Sequence, residues 1–106
     1  MRIFRRSKFY VKSKIVRRTM EELIEDCGTV EVKDWMEEEF KTKADNIKYI
    51  YTIEDENIEC YGEGAELIDG TYLVQGDGAC RHGVWTDPTV CTYKQMVDIL
   101  IANCKR

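Results

Sequence analysis

The sequence predicts an α+β domain: helices first, an antiparallel β-meander over about Ile47 to Thr86, then a C-terminal helix packed on the sheet. Three observations carry this expectation. Apolar residues recur at helical spacing in the first part of the chain and again after Thr92. Between those stretches, β-branched and aromatic residues gather in short runs. Two local signatures, Asp69-Gly70 and Thr92-x-x-Gln95, mark a hairpin and the start of the last helix.

The chain opens on a basic arm or first strand, residues 1–18. It carries eight basic side chains (Arg2, Arg5, Arg6, Lys8, Lys12, Lys14, Arg17 and Arg18) and no acidic one. Lys8 to Val16 reads as a strand or as a basic amphipathic helix, since its short apolar clusters fit both periods equally. Thr19 to Cys27 reads as a helix, with Thr19 as cap and Glu21 and Glu22 favoured in the first turn by the dipole. Gly28 is placed to stop it, and Met20, Leu23, Ile24 and Cys27 form its apolar face. A second helix is expected from Val30 to Lys41, with Val32, Trp35, Met36 and Phe40 inward and a strongly acidic outer face.

The character changes at Asn46. Ile47 to Ile53 reads as a strand, Asp55-Glu56-Asn57 as a turn, and Ile58 to Tyr61 as the next strand. Asp69-Gly70, flanked by Leu67-Ile68 and Thr71 to Val74, predicts a two-residue type I′ hairpin turn. Gly83 to Thr86 reads as a further strand ending before Pro88. In the last helix, Tyr93, Met96, Val97, Leu100, Ile101 and Cys104 supply the face toward the sheet. Leu100 and Cys104 are expected to be buried and Lys94 exposed.

With 106 residues, 43% apolar and 34% charged, the chain reads as one globular domain rather than a disordered segment. No apolar run approaches the roughly 18 residues that span a bilayer, so no membrane partner is expected. The basic start lacks an apolar core and a small-residue cleavage site, which fits a cytoplasmic protein. Five cysteines at scattered spacings, with no CxxC, read as reduced thiols, mostly buried.

Charge is lopsided. Against +8 on residues 1–18, the other 88 residues hold 20 acidic and 8 basic side chains, a net −12. Such a body can steer onto a basic protein or imitate phosphate spacing, and the candidate partner-binding residues are Glu37, Glu38, Glu39, Glu54, Asp55, Glu56, Glu63 and Asp77. The basic arm offers the opposing reading, salt-sensitive nucleic-acid binding. An alternative ligand loop spans Gly76 to Trp85. Gly76 and Gly78 allow close backbone approach, Arg81 can fork onto an anion, His82 is the chain's only histidine, and Trp85 offers a flat face. The loop lacks the Gly-Lys-Ser/Thr and GxGxxG patterns of phosphate-binding loops. Cys80 and His82 with Cys91 and Cys60 have the residue types of a Cys3His zinc site, and Cys80 or Cys91 with His82 those of a nucleophile pair. Neither has the paired spacing or motif such chemistry needs, so no metal, cofactor or catalytic residue is expected.

Small acidic chains of this kind are similar, in size and charge, to stoichiometric inhibitors such as phage anti-CRISPR proteins and toxin immunity proteins. The expectation is a non-enzymatic binding or inhibitor protein that engages a basic, nucleic-acid-handling protein through its acidic surface. The alternative is a small nucleic-acid or nucleotide binder using the basic arm and the Gly76–Trp85 loop. Oligomeric state is not legible.

Overall fold

The computed structural model describes residues 14–54, 59–76 and 78–105. Most of the basic arm, the turn at Asp55 and Glu56, and Asp77 therefore lie outside the described residues. The class is the expected one: helices and an antiparallel sheet, with a C-terminal helix packed against it.

The first described element is a strand, β1 (Lys14–Arg18), so the tail of the arm adopts the extended alternative. Helix α1 (Met20–Cys27) follows. Thr19 Oγ1 accepts from the Glu22 N–H, and Glu22 Oε1 accepts from the Thr19 N–H. This reciprocal cap adds to the favourable first-turn charge that the sequence shows. Gly28 closes the helix in the left-handed conformation, at a φ of 73°. Helix α2 (Val32–Phe40) ends at Lys41, itself left-handed, and a short 3-10 turn (Ala44–Asn46) leads into the sheet.

The sheet has five antiparallel strands in the order β1, β2 (Ile47–Glu54), β4 (Glu63–Leu67), β5 (Tyr72–Gln75) and β8 (Thr89–Cys91). The strand expected at Gly83 to Thr86 is not its fifth member. It appears as β7 (Val84–Trp85), paired with β6 (Cys80–Arg81) in a separate two-stranded hairpin, and the segment after Pro88 takes the place beside β5. The expected strand around Cys60 is β3 (Glu59–Cys60). It pairs with β9 (Cys104–Lys105), which follows the last helix, α3 (Tyr93–Ala102).

The Asp69-Gly70 turn differs in type from the one expected. At Asp69-Gly70 only the glycine has positive φ, 91°, and the Gly70 N–H donates to Leu67 O at 2.9 Å. This is a type I turn closed by a left-handed glycine, not the type I′ turn expected there. Positive φ at two successive residues occurs instead at His82 (53°) and Gly83 (78°), joining β6 to β7.

Strand β2 feeds two cores, and a register irregularity between Ile47 and Tyr49 puts Ile47 on the same face as Ile50. Ile47 and Ile50 join Met20, Val32, Met36, Phe40, Ala65 and Leu73 under α1 and α2. Tyr51 and Ile53 join Val74, Met96 and Leu100 under α3. The molecule is therefore three layers: two helices, a sheet, one helix. Gly64 lets α3 close on the sheet, because a Cβ there would press into the Met96 side chain at Sδ and Cγ.

Several inward expectations need correction. Trp35 is 47% exposed, and Tyr93 and Ile101 of α3 are exposed as well. Leu100 is buried and Lys94 exposed, as expected, but Cys104 is only half-buried. The cysteines are not mostly buried reduced thiols. Cys27 and Cys80 are exposed free thiols, Cys91 is partly covered, and Cys104 is disulfide-bonded. Strand pairing sets Cys60 opposite Cys104.

Candidate functional site

Helix geometry disperses the Glu37-Glu38-Glu39 run. Successive residues turn by about 100°, so three adjacent carboxylates cannot share a face. Glu38 is exposed. Glu37 folds onto its own helix end, where Oε2 accepts from the Ala44 N–H at 2.7 Å. Glu39 falls in the inward row with Val32, Met36 and Phe40 and is 2% exposed. Its carboxyl meets Glu63 of β4. Burial, and then the Glu63 carboxylate, push it up to about 10, so Glu39 is neutral at pH 7. Gln75 Nε2 bridges to Glu39 O at 2.8 Å and to Thr86 O at 2.6 Å, tying α2 to β5 and to the end of the β6–β7 hairpin. Glu39 is thus removed from the partner surface expected of it, and half-buried Glu63 is turned toward it. Glu54 is exposed but held by Arg18 at 2.9 Å.

What survives is a broader acidic layer. Between Met20 and Phe40 the chain has nine acidic residues and one lysine, and most of the carboxylates point outward from α1 and α2. Trp35 stands among them: Glu31 and Glu38 lie one turn before and after it. The C-terminal end of α2 also meets the loop predicted as a separate ligand site. Glu37, Glu38 and Lys41 line one groove of about 270 Å³ with Gly83, Val84 and Trp85. Val84 is 65% exposed there, so the groove carries apolar surface beside its carboxylates.

The rest of that loop does not converge on an anion. Arg81 and His82 are both exposed. The Arg81 Nε–H donates within the loop, to Gly78 O at 3.4 Å. A hollow of about 340 Å³ beneath the loop is lined by Gly76, Gly78 and Arg81, but Asp87 shares the lining and opposes a negative ligand. His82 sits in the turn rather than on β6, so the strand alternation that would place it beside Cys80 does not apply. Among the described residues no group of three or more His, Cys, Asp or Glu side chains is gathered as a metal site requires.

The opposite side of the molecule holds a site that sequence reasoning missed. α3 covers only part of its sheet face. The uncovered part is a cleft of about 550 Å³ floored by tyrosines. Cross-strand register assembles it: Arg17 opposes Tyr51, Tyr49 opposes Glu66, and Glu66 opposes Tyr72. Tyr93, at the first turn of α3, closes the end. Tyr51, Tyr72 and Tyr93 touch one another with ring centroids 5.6 to 6.2 Å apart. The Tyr51 hydroxyl donates to Glu66 Oε1 at 2.8 Å. Burial first, then the Glu66 carboxylate, push the Tyr51 hydroxyl above its ordinary range and keep it a neutral donor. The Arg17 guanidinium lies 4.4 Å above the Tyr49 ring, and Lys48 Nζ lies 5.5 Å from it. The period-2 placement of Tyr49, Tyr51 and Ile53 was the available signal; the partners across the sheet were not.

The neighbouring arm cation is bound to the body. Arg18 Nε pairs with Asp26 at 2.6 Å and an Nη with Glu54 at 2.9 Å. Among the described residues no helix is long and apolar enough to cross a membrane. Comparisons with protein-family models, curated proteins and solved structures found no match to this chain.

Proposed function

We propose that this protein is a non-enzymatic binding or inhibitory protein that docks on a basic surface of a protein partner through the outer layer of α1 and α2. One observation carries the reading: exposed Trp35 stands in a row of carboxylates that runs into the Val84 and Trp85 groove. Interfaces draw much of their affinity from a buried aromatic anchor, while surrounding charges set encounter rate and orientation. The carboxylates also suit a partner that ordinarily handles nucleic acid, since they present negative charge at the surface as phosphates do. Arg18 supports the ranking over nucleic-acid binding by the arm, because Asp26 and Glu54 already neutralise it.

The test is capture from a lysate of the source cells, treated with nuclease, by wild-type protein and by two variants. Trp35→Ala should abolish stable capture of a basic protein. The double variant Glu31→Lys, Glu38→Lys should slow association by about tenfold while leaving dissociation near wild type, with added salt mimicking the defect. Capture that is equal for all three proteins, or no captured basic protein at low salt, removes the proposal.

A further inference from the structure

The tyrosine cleft has no part in the reading above, and its chemistry is different. Most of the described surface carries excess negative charge; here two exposed cations, Arg17 and Lys48, stand at one rim of an aromatic floor. A single carboxylate, Glu66, lies further in. A ligand that matches this order has a flat ring, an N–H edge on one side and an anionic group on the other.

Three ligand classes can be compared with that pattern. A quaternary ammonium needs a gap between rings and negative surroundings. These rings meet edge to face without a gap, and Arg17 and Lys48 would repel it. A neutral sugar would leave both cations unmatched. A nucleotide satisfies every group. Its base can stack on tyrosine, since every base has a π-face. Its amino edge can donate to Glu66, whose carboxylate takes the Tyr51 hydroxyl and engages the Tyr72 hydroxyl but, with about four lone-pair sites, keeps acceptor capacity. Its phosphate can lie on the guanidinium and ammonium. The cleft volume of about 550 Å³ is within the range of small-molecule sites.

We propose that this cleft binds a nucleoside phosphate, with exposed Tyr93 as the stacking surface, Glu66 as acceptor from the base, and Arg17 and Lys48, which lie over the Tyr49 ring, as the phosphate grip. The same chemistry is presented by a free nucleotide and by one unit of a single strand. Register explains why the site exists at all: β1 is the edge strand beside β2, so the end of the basic arm is brought to the tyrosines.

Titration calorimetry on the full chain tests this with three probes: nucleoside 5′-monophosphates, the matching nucleosides, and short single-stranded oligonucleotides. Inorganic phosphate serves as a control. Monophosphates are expected to bind, with nucleosides about tenfold weaker and phosphate alone without measurable heat. Tyr93→Ala and Lys48→Ala alter exposed side chains at the rim and should keep the fold, checked by circular dichroism. Each should weaken binding by about tenfold, whereas Trp35→Ala should not. Oligonucleotides binding much more tightly than monophosphates, with a steep salt slope, would identify a single strand as the source; equal affinities would identify the free nucleotide. Absence of nucleotide and oligonucleotide binding overturns the proposal. So does binding that both rim variants leave unchanged, which would be contact with basic residues elsewhere.

Discussion

The two faces of the central sheet are built from the same strands and finished differently. On one face α1 and α2 cover the strands, and the side chains beneath are mainly aliphatic or phenyl, among them Ile47, Ile50, Ala65, Leu73 and Phe40, with Glu39 and Gln75 as the buried polar groups at the edge. On the other face a single helix covers the sheet where Ile53, Val74, Met96 and Leu100 meet, and tyrosines take over where the helix stops. Tyrosine suits that boundary because its ring buries apolar area while its hydroxyl needs a polar partner. The difference assigns separate work to the two sides: an acidic helical exterior on one, an aromatic cleft with a cationic rim on the other.

The largest expected effects test whether both cores hold the fold. Phe40→Ala, beneath the two helices, should cost about 3–5 kcal/mol, and Leu100→Ala, beneath α3, about 2–5 kcal/mol, read by chemical denaturation. If the second face is the lesser core, Leu100→Ala should also loosen the tyrosine cluster, seen as increased tyrosine exchange or fluorescence change, while Phe40→Ala leaves that cluster ordered. A Leu100→Ala loss below 1 kcal/mol would mean that α3 is a loosely held cover, and the three-layer description would fail.

A smaller, pH-dependent effect belongs to the inner edge of the acidic helices. Glu39 is buried against Glu63 and held neutral, with its carboxyl pushed up to about 10. The folded state therefore binds a proton that the unfolded chain releases in the ordinary carboxylate range. Its contribution is fully present below that range and is lost as pH rises toward 10, with a limiting slope of about 1.4 kcal/mol per pH unit for one proton. Glu39→Gln keeps the shape and the neutral group, so stability measured from about pH 6 to pH 9 should decline less steeply than in wild type. Parallel pH profiles for the two proteins would show that Glu39 ionises freely and that the carboxyl pair is not a closed unit.

Local signals carried much of the fold. The Thr19 and Thr92 caps, Gly28 and the β-branched and aromatic run of β2 are each written within a few residues, and each element appears where the sequence places it. The site was less legible. Glu39 was readable in principle, since it lies three residues after Met36 and seven after Val32; the run of three glutamates hid the helical period. Trp35 broke its own pattern by facing outward. The tyrosine cleft could not be read, because Arg17, Tyr49, Glu66 and Tyr72 meet only through pairing of four strands, and strand register is a long-range property. The β6–β7 turn was missed for a related reason. His82 takes positive φ far less readily than Gly, so the hairpin pairing sets its conformation.

The smallest expected effect addresses how the basic arm relates to the acidic body. Arg18 is the point of contact: it is partly buried, bonded to Asp26 and Glu54, and also donates to Thr52 Oγ1 at 3.3 Å. The neighbouring carboxylates raise its affinity for its proton, which it never loses at working pH, so the pair is insensitive to pH near neutrality. Both partners are well exposed, so solvent screens the attraction. Arg18→Gln should therefore lower stability by only about 0.5 kcal/mol at low salt, and the difference should shrink as salt is added. Arg17→Gln, one residue away, faces the other side of the strand. It should leave this salt-dependent difference absent and act instead on the cleft. A loss of several kcal/mol for Arg18→Gln would make the contact a structural anchor of β1. An identical response for the two variants would show that the side chains of β1 do not divide between the acidic body and the tyrosines.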